Sequence, residues 1–246
     1  MRRLFGRPEA LKEAPFRFCP GCGHGILHRL LAECVDALGI RERTIGIAPV
    51  GCAVFAYDFF NFDVIEVPHG RPPAAATGIK RVLPDRVVIS YQGDGDLAAI
   101  GTAEIIHAAA RGECITVVFV NNATYGMTGG QMAPTTLRGQ WSTTTPRGRQ
   151  EPPLRVAELM AAIEGTALVA RTALDGPRGV LKTKALLMKA LKYQLRNKGF
   201  SLLEVLAPCP TNWRMSPLQS LQWLSREMAK VFPPGVLKDS PGGDGA

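Results

Sequence analysis

Two continuous apolar runs, VVISY (87–91) and ITVVFV (115–120), flank a segment rich in alanine, with Ala98, Ala99, Ala103 and Ala108–Ala110. Strands so uniformly apolar are buried on both faces, as strands of a parallel sheet are. Parallel neighbours need a crossover of a dozen or so residues, usually a helix. Small side chains let that helix lie close to the sheet. Residues 86–122 therefore read as strand, helix, strand with a right-handed crossover. That unit sets the fold class as α/β.

The alternation continues on both sides. Leu27, Leu30, Leu31, Cys34, Val35 and Leu38 recur at helical spacing, and Gly39 is a natural stop. TIGIA (44–48) and DVIEV (63–67) read as short buried strands, and a small-residue helix follows Pro72-Pro73. A helix over 154–163, strand TALVAR (166–171), a helix over 178–198, strand FSLLEVL (200–206) and a last helix near 217–230 complete the series. The pattern predicts one doubly wound, mostly parallel sheet over 18–232. Residues 1–17 read as an arm folded against a partner, and 233–246 as a flexible tail. Residues 123–153 are rich in Gly, Thr and Pro and lack periodicity, and a loop that long is usually functional. YDFFNF (57–62) is aromatic enough to line an apolar pocket, though core packing is its expected use.

Composition narrows the function classes. Hydrophobic residues make up 46% and charged residues 20%, with a net charge of +8, so an ordinary soluble protein is expected. No apolar run reaches 18 residues, and the N-terminus lacks the apolar core of a secretory signal, so no membrane partner and a cytoplasmic location are expected. The basic residues are scattered except for Lys182, Lys184, Lys189, Lys192, Arg196 and Lys198, which suit the wet face of a helix. Nucleic acid is not an expected partner; an acidic protein would be steered in by this charge.

The chemistry lies in the loops. YQGDGDLAAIG (91–101) places Asp94 and Asp96 where a buried strand ends. An unpaired charge there is costly, so a positive group is expected beside it. The next strand ends in Asn122. One carboxylate, one amide oxygen and nearby main-chain carbonyls, with room for phosphate oxygens, are what Mg²⁺ takes, and glycines let backbone N–H groups approach a phosphate. Asp96 has two readings, capping the helix that follows or contacting a cofactor. Of six cysteines, Cys34 lies on an apolar stripe and Cys114 has no partner pattern. Cys19 and Cys22 form CPGC, Cys52 sits in VGCA, and Cys209 in PCPTNW. Four loop thiolates suit a tetrahedral zinc or an iron–sulfur cluster, and spacing leaves both open. His69, in PHGR after a strand, can bond a diphosphate oxygen or polarise a substrate. His24 reads as a helix cap, and His28 and His107 as structural or surface residues.

The spacing GDG, 25 residues, NN resembles the thiamine-diphosphate-binding motif. FCPGCGHG, GIAPVGCA, PHGR, QGDGDLAAIG, NNATYGMTGGQMAPTT and APCPTNW together resemble the β subunit of 2-oxoacid:ferredoxin oxidoreductases, of the 2-oxoglutarate or branched-chain type. The resemblance implies Mg²⁺ held by Asp94, Asn122 and the main chain of Thr124. It implies thiamine diphosphate touched by Val50, Gly51, Cys52, Ala53, His69, Gly95, Asp96, Gly126 and Met127, with His69 catalytic. It also implies one [4Fe–4S] cluster on Cys19, Cys22, Cys52 and Cys209. The implied reaction is oxidative decarboxylation of a 2-oxoacid to an acyl-CoA, with coenzyme A as acceptor and electrons passed to ferredoxin. One diphosphate motif implies that a partner α subunit supplies the domain facing the pyrimidine ring, in an assembly of at least αβ that γ and δ subunits can extend. Two other readings fit parts of the sequence. A non-redox thiamine decarboxylase subunit needs no cysteines, and a zinc-binding protein without enzymatic activity leaves GDG unused.

Overall fold

The computed structural model describes residues 6–240. Helix α1 (His24–Leu38) buries Leu27, Leu31, Cys34 and Val35 and stops at Gly39, whose positive φ of 64° suits glycine. Each of those buried leucines contributes about 2 kcal/mol by leaving water. Strand β1 (Thr44–Ala48), a turn of helix α2 (Ala56–Phe59) and strand β2 (Asp63–Glu66) follow. Helix α3 (Pro72–Val82) starts on its two prolines, whose missing N–H groups cost nothing in a first turn. Strand β3 (Val87–Gly93), helix α4 (Thr102–Ala110) and strand β4 (Thr116–Asn121) form the crossover unit. After the long loop come α5 (Val156–Ala161), β5 (Thr166–Ala173), α6 (Pro177–Leu195) and β6 (Phe200–Leu206). Single-turn α7 (Pro210–Trp213), α8 (Pro217–Trp223), a wider π turn over Leu224–Met228 and α9 (Ala229–Val231) lead to β7 (Gly235–Asp239).

The sheet order is β2-β1-β3-β4-β6-β5-β7, parallel except for β7. Alternate strand residues face opposite layers, so each strand feeds two cores. Tyr91, Val118, Val120 and Leu203 meet α1 and α6 on one face. Val88, Val117, Phe119 and Leu202 meet α3, α4 and α5 on the other. A third cluster, with Leu206, Trp213, Leu224, Met228 and Phe232, caps the carboxyl ends of β4, β6 and β5. No helix among the described residues is long and apolar enough to cross a membrane.

Four expectations change. β2 is mostly exposed rather than buried, because it is the sheet edge. The helix after GDGD opens with a π turn over Asp96–Ile100, in which Gly101 N–H donates to the Asp96 carbonyl. Residues 8–12 of the arm pack on this chain itself: Ala10 is fully buried, and Lys12 N–H donates to Phe59 O. Gly235–Asp239, placed in the flexible tail by sequence, pairs antiparallel with β5; residues 1–5 and 241–246 lie outside the described part.

Candidate functional site

β3 and β4 are hydrogen-bonded neighbours, with Gly93 opposite Val120, so their carboxyl ends open side by side. Beyond them lies a cavity of about 450 Å³. It gathers Val50, Gly51, Cys52, Ala53, His69, Asp94, Gly95, Asp96, Asn122, Thr124, Gly126 and Met127, the residues expected around the cofactor. Tyr125, Thr128, Gln131 and His24 also border it and were not foreseen. Such a volume is ordinary for a small-molecule site.

Asp94 lies at its base, 3% exposed. Its oxygens accept from Gly95 N–H (2.8 Å), Thr124 N–H (3.1 Å) and Thr135 Oγ1 (2.8 Å). Burial pushes its carboxyl up to about 6, and these three neutral donors only partly oppose that. Thr124 N–H also lies 3.3 Å from Asn122 Oδ1, so the Asp94 carboxylate and the Asn122 amide oxygen share one donor and stand close together. A hard dication held there would offset the burial. A side chain at Gly95 would have to displace the Tyr125 ring, which stands 2.1 Å from where its Cβ would lie.

Asp96 does not cap the next helix. It accepts from Gln92 Nε2 (2.5 Å) and Gly70 N–H (2.6 Å), tying GDGD to the PHGR turn. His69 Nδ1 lies 2.9 Å from Asp96 Oδ1, in ion-pair range but outside hydrogen-bond alignment. Burial raises the Asp96 carboxyl, while Gln92, Gly70 and His69 pull it down.

The long loop is held by one cation. Arg149 is buried, and its Nη1 donates to the carbonyls of Ala133 (2.9 Å), Pro134 (2.8 Å) and Thr136 (3.0 Å). Those three residues surround Thr135, which reaches Asp94. Arg149→Met should therefore cost about 2 kcal/mol of stability, because the Thr136 carbonyl loses its donor and those of Ala133 and Pro134 keep only the N–H groups of Thr136 and Leu154. It should also weaken Mg²⁺–thiamine diphosphate binding about tenfold, read by thermal unfolding and calorimetric titration.

The first asparagine of the NN pair is structural. Asn121 Nδ2 donates to Glu204 Oε1 (2.7 Å), and Ala123 N–H donates to Asn121 Oδ1 (3.1 Å). Glu204 in turn accepts from Arg171 Nε (2.7 Å), and Arg171 also meets Glu158. This buried ladder crosses three strand ends and holds Ala123 in a left-handed turn, φ 57°, so that Asn122 faces the cavity. Trp213 Nε1 donates to Asn122 O (2.9 Å) from the other side.

Cys22 is influenced by the charge of Cys209, Cys52 and Cys19, and Cys52 by Cys209, Cys19 and Asp94, so the four loop thiols are neighbours. Burial pushes the Cys22 thiol up to about 12 and Cys52 up to about 11, and it raises Cys209. Thiols so disfavoured as anions fit a strongly positive metal group, which deprotonates its ligands. Among the described residues, no three His, Cys, Asp or Glu side chains are drawn tightly enough to hold a single ion. Cys34 and Cys114 bond carbonyls of α6 instead, Lys184 O and Gln194 O. His24 is buried with Nδ1 2.7 Å from Tyr91 OH, and burial lowers it to about 4. His28 sits among Phe18, Phe59, Phe60 and Tyr91, which gives the aromatic 57–62 stretch its core role.

Comparison with known proteins follows this geometry. Residues 50–205 match the family "Thiamine pyrophosphate enzyme, C-terminal TPP binding domain". The ketoisovalerate oxidoreductase subunit VorA of Methanothermobacter thermautotrophicus is 49% identical over 96% of this chain and 50% of its own. The 2-oxoglutarate synthase subunit KorB of Archaeoglobus fulgidus is 36% identical over 88% of this chain and 78% of its own. The chain spans about half the length of the VorA relatives. A 2-oxoglutarate:ferredoxin oxidoreductase from Magnetococcus marinus, solved with 2-oxoglutarate, coenzyme A and succinyl-CoA bound, superposes with a TM-score of 0.79 at 26% identity. That match covers 96% of this chain and 86% of the other.

Proposed function

Because the chain belongs to the thiamine pyrophosphate-binding subunits of the 2-oxoacid:ferredoxin oxidoreductases, we propose that it carries the cofactor site for oxidative decarboxylation of a 2-oxoacid to an acyl-CoA, with electrons leaving to ferredoxin. The observation that carries this is Cys52. Its thiol borders the same cavity as Asp94, and its sulfur lies 3.3 Å from where a Cβ on Gly126 would stand. A cluster ligand at that place would set an electron acceptor beside the diphosphate, which a non-redox decarboxylase does not need.

Thiamine diphosphate, when bound, supplies the electron sink for loss of CO₂, and a [4Fe–4S] cluster on Cys19, Cys22, Cys52 and Cys209 supplies an electron acceptor. The chain's own residues do the rest. Asp94, Asn122 and the Thr124 carbonyl would hold Mg²⁺, which would supply the positive charge that a diphosphate needs. Gly95 and Gly126 let the backbone approach it. His69 lines the cavity with its Nδ1 2.9 Å from Asp96 Oδ1, and its ring would serve the diphosphate or the substrate carbonyl. The acid that faces the pyrimidine ring comes from a partner α subunit. Half-exposed Val50, Ile100 and Met127 give that partner an apolar landing around the cavity.

No lysine or arginine borders the cavity among the described residues, and Val50, Ala53 and Met127 supply apolar wall. That apolar wall and the higher identity to the ketoisovalerate oxidoreductase subunit, 49% against 36% for the 2-oxoglutarate synthase subunit, favour a branched-chain 2-oxoacid over 2-oxoglutarate. The test is anaerobic reduction of ferredoxin by the co-purified complex with coenzyme A and each of three acids: pyruvate, 2-oxoglutarate and 2-oxoisovalerate. We expect kcat/KM for 2-oxoisovalerate to exceed that for 2-oxoglutarate by about tenfold or more. No thiamine-dependent reduction with any of them would refute the activity.

A further inference from the structure

We propose that Asn212 joins the iron–sulfur loop to the thiamine-binding turn and tunes the reduction potential of the cluster; this rests on the reading of Cys209 as a cluster ligand. Asn212 lies on α7, the single turn that begins directly after Cys209. Its Nδ2 is 3.3 Å from Cys209 Sγ and 3.0 Å from Gly126 O. The amide orientation follows from that second contact, since a carbonyl only accepts and Oδ1 in its place would repel it. Oδ1 is turned towards Gly130, whose φ of 84° favours glycine, and lies 3.0 Å from where a Cβ on that residue would stand. The next residue, Trp213, donates to Asn122 O. One helical turn thus touches a cluster thiol, the carbonyl of the Gly126 turn and the carbonyl of a metal-holding asparagine.

An N–H donor to a cluster sulfur stabilises the extra negative charge of the reduced state, which raises the potential. Asn212 has two amide protons and commits one to each partner. One side chain therefore bonds the sulfur and the Gly126 turn together. The residue that aids electron uptake is in this way registered on the loop that borders the electron donor.

The experiment uses the complete anaerobic complex, loaded with iron and cofactor. Potentiometric titration followed by electron paramagnetic resonance compares wild type with Asn212→Leu and Asn212→Asp. We expect the cluster midpoint to move to lower potential in both, further in the aspartate variant because a charge replaces the donor. Iron content should stay at the wild-type level, and Mg²⁺–thiamine diphosphate should bind about tenfold more weakly through the lost Gly126 bond. Trp213→Phe should weaken cofactor binding without moving the midpoint. An unchanged midpoint at full iron in both Asn212 variants overturns the tuning role. Loss of iron from both would make Asn212 a prop for the loop and overturn it equally. Wild-type complex without iron or a reduced-cluster signal would instead sink the ligand reading, and this inference with it.

Discussion

Asp94→Ala should lower the affinity for Mg²⁺–thiamine diphosphate by about a thousandfold or more, because it removes the one carboxylate of the metal set. The cluster chromophore should survive, since its thiols come from other loops. Equilibrium binding measured beside iron content separates the two effects, and loss of both from a folded variant would contradict separate sites. The pH dependence follows from burial. In the folded chain the Asp94 carboxyl titrates at about 6, above its ordinary value of 3.8, so the folded state binds this proton more tightly than the unfolded one. Without cofactor, Asp94 therefore costs stability as pH rises from about 4 to 6, by about 3 kcal/mol once fully ionised. The alanine variant lacks that slope, so the difference between the two unfolding profiles isolates it. Metal binding needs the ionised form, so wild-type affinity should fall about tenfold per pH unit below 6.

Cys209→Ser should empty or cripple the cluster. A serine hydroxyl is a poor match for soft iron–sulfur ligation and also changes the acceptor of the Asn212 amide. Iron per chain and the broad visible absorption should both drop by about half or more, and ferredoxin reduction by about a hundredfold. Mg²⁺–thiamine diphosphate affinity should change only a few-fold, because Asp94 and Asn122 stand at the ends of other strands. Unchanged iron would show that Cys209 is not a ligand.

The parallel sheet was legible because strands buried on both faces read as unbroken apolar runs, as in VVISY and ITVVFV. β2 misled for the same reason: DVIEV is apolar enough to look buried, and only its place in the strand order shows that it is an edge. β7 was hidden by its Pro/Gly-rich surroundings. At the site, GDG and NN stand at strand ends and carry a spacing, so Asp94 and Asn122 could be read. Thr135 and Arg149 come from a loop without periodicity, where nothing local marks which threonine or arginine turns inward. Asn212 and Trp213 follow Cys209 closely in PCPTNW, but an asparagine or tryptophan beside a cysteine carries no pattern that marks its partner. The Asn121–Glu204–Arg171 ladder pairs residues dozens of positions apart, and a single sequence holds no trace of such pairing.

Trp213 and Glu204 reach the turn at 121–124 from the last fifth of the chain. On a ribosome adding roughly ten residues per second, the GDG and NN segments emerge many seconds before the groups that brace them. Until then the turn has neither its ladder nor its indole support. Vitamin-derived cofactor and inorganic iron should therefore be inserted only once residue 213 has emerged, and a nascent chain halted before residue 200 should capture neither.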